Sequence, residues 1–144
     1  MTMEKIAVIY WTGTGNTRTM AESIAEGINS AGAAAELFNV SEITPDKTMN
    51  FDKLVFGCPS MGAENLEESE FEPFFSKLEA SLGGKKVALF GSYGWGDGQW
   101  MRDWNSRTTS TGSRLFEEGL MAHETPDSES IATCHNFGAR FATF

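Results

Sequence analysis

A loop of threonines and glycines near the start of the chain has the residues best suited to do chemistry. Thr12-Gly13-Thr14-Gly15-Asn16-Thr17 follows the apolar run Ile6–Trp11 and leads directly into a helical pattern. Glycines let backbone N–H groups turn inward, hydroxyls add donors, and the following helix directs the positive end of its dipole at an anion. Strand, loop and helix in this order predict a phosphate site.

The residues of this loop exclude two common nucleotide sites. A nucleoside-triphosphate loop ends in Gly-Lys-Ser/Thr, whereas Asn16 and Thr17 follow Gly15 here. The dinucleotide fingerprint needs a third glycine, which would fall on Arg18. Residues 12–17 include neither lysine nor arginine. We therefore expect a phosphate monoester that is held by neutral donors.

The loop resembles the phosphate-binding loop of flavodoxins, whose pattern Thr/Ser-x-Thr-Gly-x-Thr residues 12–17 match throughout. Two later segments, Pro59–Glu64 and Gly91–Gly96, each follow an apolar run and resemble the flavin-contacting loops of short-chain flavodoxins. The resemblance covers essentially the whole chain and implies non-covalently bound FMN. It also implies a low-potential, single-electron carrier between redox proteins, which uses the quinone, semiquinone and hydroquinone states and is not an enzyme.

The resemblance further implies a role for each of the three loops. The first loop holds the phosphate, and Ser92 adds a hydroxyl. Met61 covers one face of the flavin ring and Trp95 stacks on the other, since a flat aromatic ring is stabilised by stacking and by a polarisable thioether. The main chain at Gly94 and Gly96 approaches the pyrimidine edge of the flavin ring. The implied cofactor-binding residues are Thr12, Gly13, Thr14, Gly15, Asn16, Thr17, Pro59, Ser60, Met61, Gly62, Ala63, Glu64, Ser92, Tyr93, Gly94, Trp95 and Gly96.

Within the second loop the resemblance makes Gly62 a redox switch. Its carbonyl turns toward flavin N5 once that nitrogen carries a hydrogen, and glycine tolerates both signs of φ. If the turned loop required a positive φ at Ala63, alanine would carry strain there. Glu64 matches the glutamate that contacts the flavin N3 edge in relatives.

Five apolar runs alternate with helical patterns, which predicts an α/β fold with an open, doubly wound parallel sheet and helices on both faces. The predicted strands are Ile6–Trp11, Ala35–Val40, Leu54–Cys58, Val87–Gly91 and about Leu115–Ala122. The strand order 2-1-3-4-5 is implied by the resemblance, because it is the order of that family and not a deduction from periodicity. The carboxyl ends of strands one, three and four then meet at one edge, where the three loops lie.

Apolar residues at helical spacing predict the helices that cover this sheet. The stripes are Met20-Ile24-Ile28, Phe71-Phe74-Phe75-Leu78, Trp100-Trp104 and, from about Ser128, Ile131-Cys134-Phe137 or Gly138-Phe141. We interpret Trp11 as a packing residue. His123 and His135 are interpreted as structural, because no serine or carboxylate motif surrounds them.

The composition is that of one soluble domain, expected to span residues 1–144. The apolar runs are strand-sized and the N-terminal residues lack a signal-peptide pattern, so we expect a cytoplasmic, monomeric protein without a membrane partner. Cys58 and Cys134 have no CxxC spacing and are interpreted as buried apolar residues, and no metal site is expected.

The chain is acidic, with a formal net charge of −9. Glutamates at 64, 67, 68, 70 and 72 accumulate between Lys53 and Lys77 with no basic residue among them. Such a field opposes the addition of a second electron to FMN and attracts redox proteins with basic surfaces, not nucleic acid. Helix N-termini also favour acidic residues, which alone accounts for Glu67, Glu68 and Glu70.

Single residues test other functions on similar architectures. The Cys-x5-Arg motif of small phosphatases would place its arginine at Glu64, and a hydrolase elbow would need glycine at Phe90. A receiver domain would have aspartates after strands one and three, where Trp11-Thr12 and Pro59-Ser60 stand. An FMN-dependent quinone or nitro reductase remains the alternative, and oxidation of NAD(P)H with turnover would distinguish it.

Overall fold

A computed structural model describes residues 3–144, in which helices cover both faces of a parallel sheet. Met1 and Thr2, which begin the predicted domain, lie outside the described residues. The strands are β1 (Lys5–Tyr10), β2 (Ala34–Asn39), β3 (Lys53–Gly57), β4 (Lys86–Tyr93), β5 (Arg114–Leu115) and β6 (Leu120–His123). The helices are α1 (Asn16–Ser30), α2 (Pro45–Thr48), α3 (Phe71–Leu78), α4 (Gln99–Thr109) and α5 (Ser128–Ala142), with 3-10 turns at Val40–Glu42 and Glu79–Ser81.

The strands are parallel in the order β2-β1-β3-β4-β5, and β6 also pairs with β4. This confirms the predicted fold class and order. Tyr10 is in register with Gly57, and Gly57 with Phe90, so β1, β3 and β4 end side by side. Over residues 3–144, no helix combines the length and apolar character needed to cross a bilayer.

The edge beside β4 differs from the single fifth strand predicted for Leu115–Ala122. β5 pairs with Lys86 and Val87, β6 pairs with Phe90–Tyr93, and residues 116–119 bulge opposite only residues 88 and 89 of β4. Glu117 has a left-handed φ of 53° and contacts Arg140, while Phe116 packs on Phe137. The pairing with β6 also extends β4 two residues beyond the predicted end.

The sheet residues alternate between two cores. Ile6, Val8 and Tyr10 face α1 and α5, whereas Ala7 and Ile9 face α3 and α4.

Helices α1 and α5 approach closely because glycines lie at their contact. A Cβ on Gly27 would collide with the His135 carbonyl, and a Cβ on Gly138 would collide with the Ile24 carbonyl. Ile131, predicted to belong to the buried stripe of α5, is instead 39% exposed, because the face of this helix that meets α1 begins at Cys134.

Candidate functional site

The first loop leaves the start of α1 open to an anion. Gly15 precedes the helix with a left-handed φ of 99°, and its N–H donates to Thr12 Oγ1 at 3.0 Å. Among residues 3–144, no side chain caps the helix, and its first turn contains no acidic residue. The N–H groups of a first turn need acceptors from outside the helix, and the dipole favours a negative one.

A buried pair of hydroxyls joins this loop to the end of β4. Thr17 Oγ1 lies 2.9 Å from Ser92 Oγ, and the two residues are 1% and 5% exposed. Ser92 was predicted to add a hydroxyl to the first loop, and the structure places it directly beneath that loop. The hydrogen bond between Thr17 and Ser92 therefore connects the start of α1 to the end of β4.

The second loop is a tight turn closed by its own main chain. Met61 and Asn65 exchange two backbone hydrogen bonds of 2.9 and 3.0 Å, and Ser60 N donates to Ser92 O at 3.0 Å. The left-handed residues of the turn are Gly62, with φ 43°, and Glu64, with φ 56°. The strain considered at Ala63 therefore falls on Glu64 in this conformation.

Glu64 connects the second loop to the third. Its Oε1 accepts from Gln99 N at 3.2 Å, at the start of α4, where Gly98 provides no side-chain cap. A Cβ on Gly96 would collide with the same carboxylate, so glycine at this position leaves room for the contact. An acidic side chain at a helix N-terminus is stabilising, and this one also fixes the distance between the two loops.

The third loop begins where β4 ends. Tyr93 O accepts from Glu124 N at 2.7 Å, and His123 Nε2 lies 3.0 Å from Gly94 O. Beyond these contacts the loop projects outward, and Trp95 is 65% exposed. An indole this exposed is available to stack on a ligand.

The three loops enclose a cleft of about 290 Å³. Ten predicted residues line it: Gly13, Thr14, Asn16, Thr17, Pro59, Ser60, Met61, Ser92, Tyr93 and Gly94. The other seven lie on the same loops but outside the lining: Thr12, Gly15, Gly62, Ala63, Glu64, Trp95 and Gly96. The structure thus brings the three predicted segments to one site, with the second and third loops forming its outer rim.

The sequence interpretation missed two lining residues, Trp11 and Glu124. Trp11 ends the first apolar run, and its Nε1 donates to Glu70 Oε1 at 3.1 Å. Glu124 follows β6 in a left-handed conformation, with φ 57°. A position just after a parallel strand was the available signal for both residues.

Within the acidic segment Glu64–Glu72, hydrogen bonds hold the Glu67 side chain in its charged form. Glu67 caps α3: it accepts from Ser69 N, Glu70 N and Phe71 N at 2.8, 2.8 and 2.9 Å, and from the Ser69 hydroxyl. Burial acts to raise the pKa of Glu67, but these bonds outweigh it and hold that pKa below its ordinary value. Helix capping thus explains Glu67.

Arg107, on α4, offsets part of the negative charge of the acidic segment. It donates to both carboxylate oxygens of Glu72, at 2.7 and 2.6 Å, and also binds Glu79. Hydrogen bonding to Arg107 lowers the pKa of Glu72. The acidic segment has no basic residue along the sequence, as predicted, but in the folded protein Arg107 lies against it.

Comparison with known proteins identifies the family. The family model described as Flavodoxin matches residues 8–138. A flavodoxin from Clostridium beijerinckii is 49% identical over 135 residues, which cover 94% of this chain and 97% of that protein. One from Megasphaera elsdenii is 44% identical over 122 residues, 85% of this chain and 88% of that protein. The solution structure of the two-electron reduced Megasphaera elsdenii protein superposes with a TM-score of 0.85, at 41% identity, over 96% of this chain and 99% of that one. This chain belongs to the flavodoxin family.

Proposed function

We propose that the cleft between the three loops is where this flavodoxin holds FMN, with the seventeen predicted residues forming its walls and rim. As a member of the family, the chain is an FMN-binding electron carrier and not an enzyme. The observation that supports this site most directly is the open N-terminus of α1, which has no acidic residue in its first turn and no side-chain cap from the part of the chain that the structure describes.

The groups at this helix start fit a phosphate monoester. Main-chain N–H groups and the hydroxyls of Thr12, Thr14 and Thr17 are neutral donors, as expected for a loop without lysine or arginine. A hydrogen bond to Ser92 holds the Thr17 hydroxyl in a fixed position. A site built this way binds the phosphate through directed bonds and the helix dipole instead of a paired cation.

The rim of the cleft fits a flat aromatic ring. Met61 lines one wall, and the exposed Trp95 lies on the loop that forms the other. When bound, FMN takes up and releases electrons singly. Met61 and Trp95 are the residues that would hold the flavin ring between sulfur and indole, and this arrangement would leave one edge open for electron transfer to another protein.

The acidic residues near the rim tune both the potential and the partner. At an effective dielectric near 20, one carboxylate about 10 Å from the ring opposes an added negative charge by about 1.7 kcal/mol. The ion pair with Arg107 reduces the contribution of Glu72 to this field. The same surface attracts partners with basic surfaces and speeds encounter.

We further propose that the protein works as a monomer in the cytoplasm. Its cysteines, Cys58 and Cys134, are free and buried, which is compatible with a reducing compartment.

Reconstitution with FMN tests the function. We expect 1:1 binding, a reductive titration with two resolved one-electron steps, and no catalytic oxidation of NAD(P)H when a quinone or nitroaromatic is supplied in excess. Failure to bind FMN would refute the proposed site. Turnover with NAD(P)H would restore the reductase alternative, which the flavodoxin relatives do not favour.

A further inference from the structure

The structure assigns one more positioning residue to this cleft: we propose that His123 holds the third loop in the conformation that binds FMN. The inference rests on the proposed function, since it concerns the same site. His123 is the last residue of β6 and stands in register with Tyr93, the last residue of β4. It therefore lies beside the point where the third loop leaves the sheet.

The contact of His123 with the loop is a hydrogen bond of defined direction. Its Nε2 is 3.0 Å from Gly94 O. A carbonyl oxygen only accepts, so Nε2 must carry the hydrogen and donate it. Within residues 3–144, no other side chain forms a hydrogen bond to the main chain of residues 94–96.

Two further contacts secure the same corner. The imidazole ring lies 5.0 Å from the Tyr93 ring, centroid to centroid, and Tyr93 lies 5.6 Å from Trp100 on α4. Glu124 N donates to Tyr93 O at 2.7 Å. Residues 123 and 124 thus hold the last two carbonyls before the loop turns toward Trp95.

Gly94 needs this external support because its own packing does not fix its position. Apart from its chain neighbours, a Cβ on Gly94 would meet no atom of residues 3–144 within 4 Å, although Gly94 lines the cleft. A flexible residue at a binding wall loses conformational freedom when the ligand binds. The His123 bond restricts Gly94 and Trp95 beforehand, which strengthens FMN binding by preorganisation.

Two substitutions separate the donor of His123 from its ring. His123→Phe keeps an aromatic ring at this position and removes the N–H, whereas His123→Gln removes the ring and keeps a side-chain N–H donor. We expect the dissociation constant for FMN to rise about three- to tenfold in His123→Phe and to stay within about twofold of the wild type in His123→Gln. His135→Gln, at an exposed position of α5, is the matched control and should leave FMN affinity unchanged.

Two measurements on the apoproteins distinguish positioning from general stability. The backbone amide resonances of Gly94 and Trp95 should shift in His123→Phe and return in His123→Gln, while urea unfolding changes little in either variant. Equal FMN affinity in wild type and His123→Phe would overturn the inference, as would a loss that follows only the unfolding free energy. If wild-type protein itself failed to bind FMN, the proposed function would fail instead.

Discussion

Asn16→Asp tests how the first loop recognises its ligand. Asn16 is the first residue of α1 and lines the cleft, and the substitution adds one negative charge with almost no change of shape. In the apoprotein the new carboxylate lies at the positive end of a helix that has no acidic residue in its first turn. We therefore expect the apoprotein to become more stable to urea by about 0.3–1 kcal/mol.

The same charge should oppose the FMN phosphate. At about 7 Å and an effective dielectric near 20, two unit charges repel by about 2.4 kcal/mol, and a phosphate monoester carries more than one. Allowing for screening by salt, we expect at least about 2 kcal/mol, or a roughly 30-fold rise in the dissociation constant for FMN. Apoprotein stability and ligand affinity thus change in opposite directions.

Riboflavin, which lacks the phosphate, is the informative control ligand. Its affinity, measured by quenching of flavin fluorescence, should be the same for wild type and Asn16→Asp. Asn29→Asp adds the same charge at the far end of α1 and should keep FMN affinity within about twofold. An equal loss of FMN and riboflavin affinity in Asn16→Asp, or no loss of either, would refute phosphate recognition by this helix start.

Three further predictions concern the scaffold around the site. Gly138→Ala forces a methyl group against the Ile24 carbonyl and should lower the free energy of unfolding of the apoprotein, measured in urea, by about 2–3 kcal/mol. Gly83→Ala is the control, because a Cβ there has ordinary contacts, and it should change the free energy of unfolding by less than about 0.5 kcal/mol. Equal effects of the two substitutions would contradict the close contact between α1 and α5. Glu67→Gln should cost about 1–2 kcal/mol at pH 7. Because the folded pKa of Glu67 lies below its ordinary value, that carboxylate stabilises the protein above the unfolded pKa and the contribution is lost as pH falls, so a gap between variant and wild type that persisted well below pH 4 would contradict the cap. Burial raises the pKa of Cys58, and raises that of Cys134 to about 11, so neither thiol should react with a disulfide reagent until the protein unfolds; rapid reaction of the native protein would contradict their burial.

The sequence predicted the sheet and the position of the three loops because those features depend on local patterns. Apolar runs set the strands, and the glycine and hydroxyl residues after them set the turns. The break between β5 and β6 was missed, although Glu117-Glu118-Gly119 interrupts the strand pattern there. A sequence with two acidic residues and a glycine is a poor strand, and the pairing with β4 continues on either side of it.

Contacts between distant residues were not predictable in the same way. Arg107 reaches Glu72 across 35 positions, and Glu64 reaches Gln99 across the same separation. Both contacts depend on how α4 is placed against its neighbours, which no local pattern specifies. The charge around the rim and the spacing of the second and third loops therefore required the structure.

Proton–proton contacts between FMN and the rim of the cleft would locate the flavin ring. In the reconstituted protein, nuclear Overhauser effects should connect FMN ring protons to the Met61 methyl group and, from the opposite face, to the Trp95 indole. Ring protons that contact neither residue, in a protein that nonetheless binds FMN, would show that the ring lies elsewhere and would contradict the account.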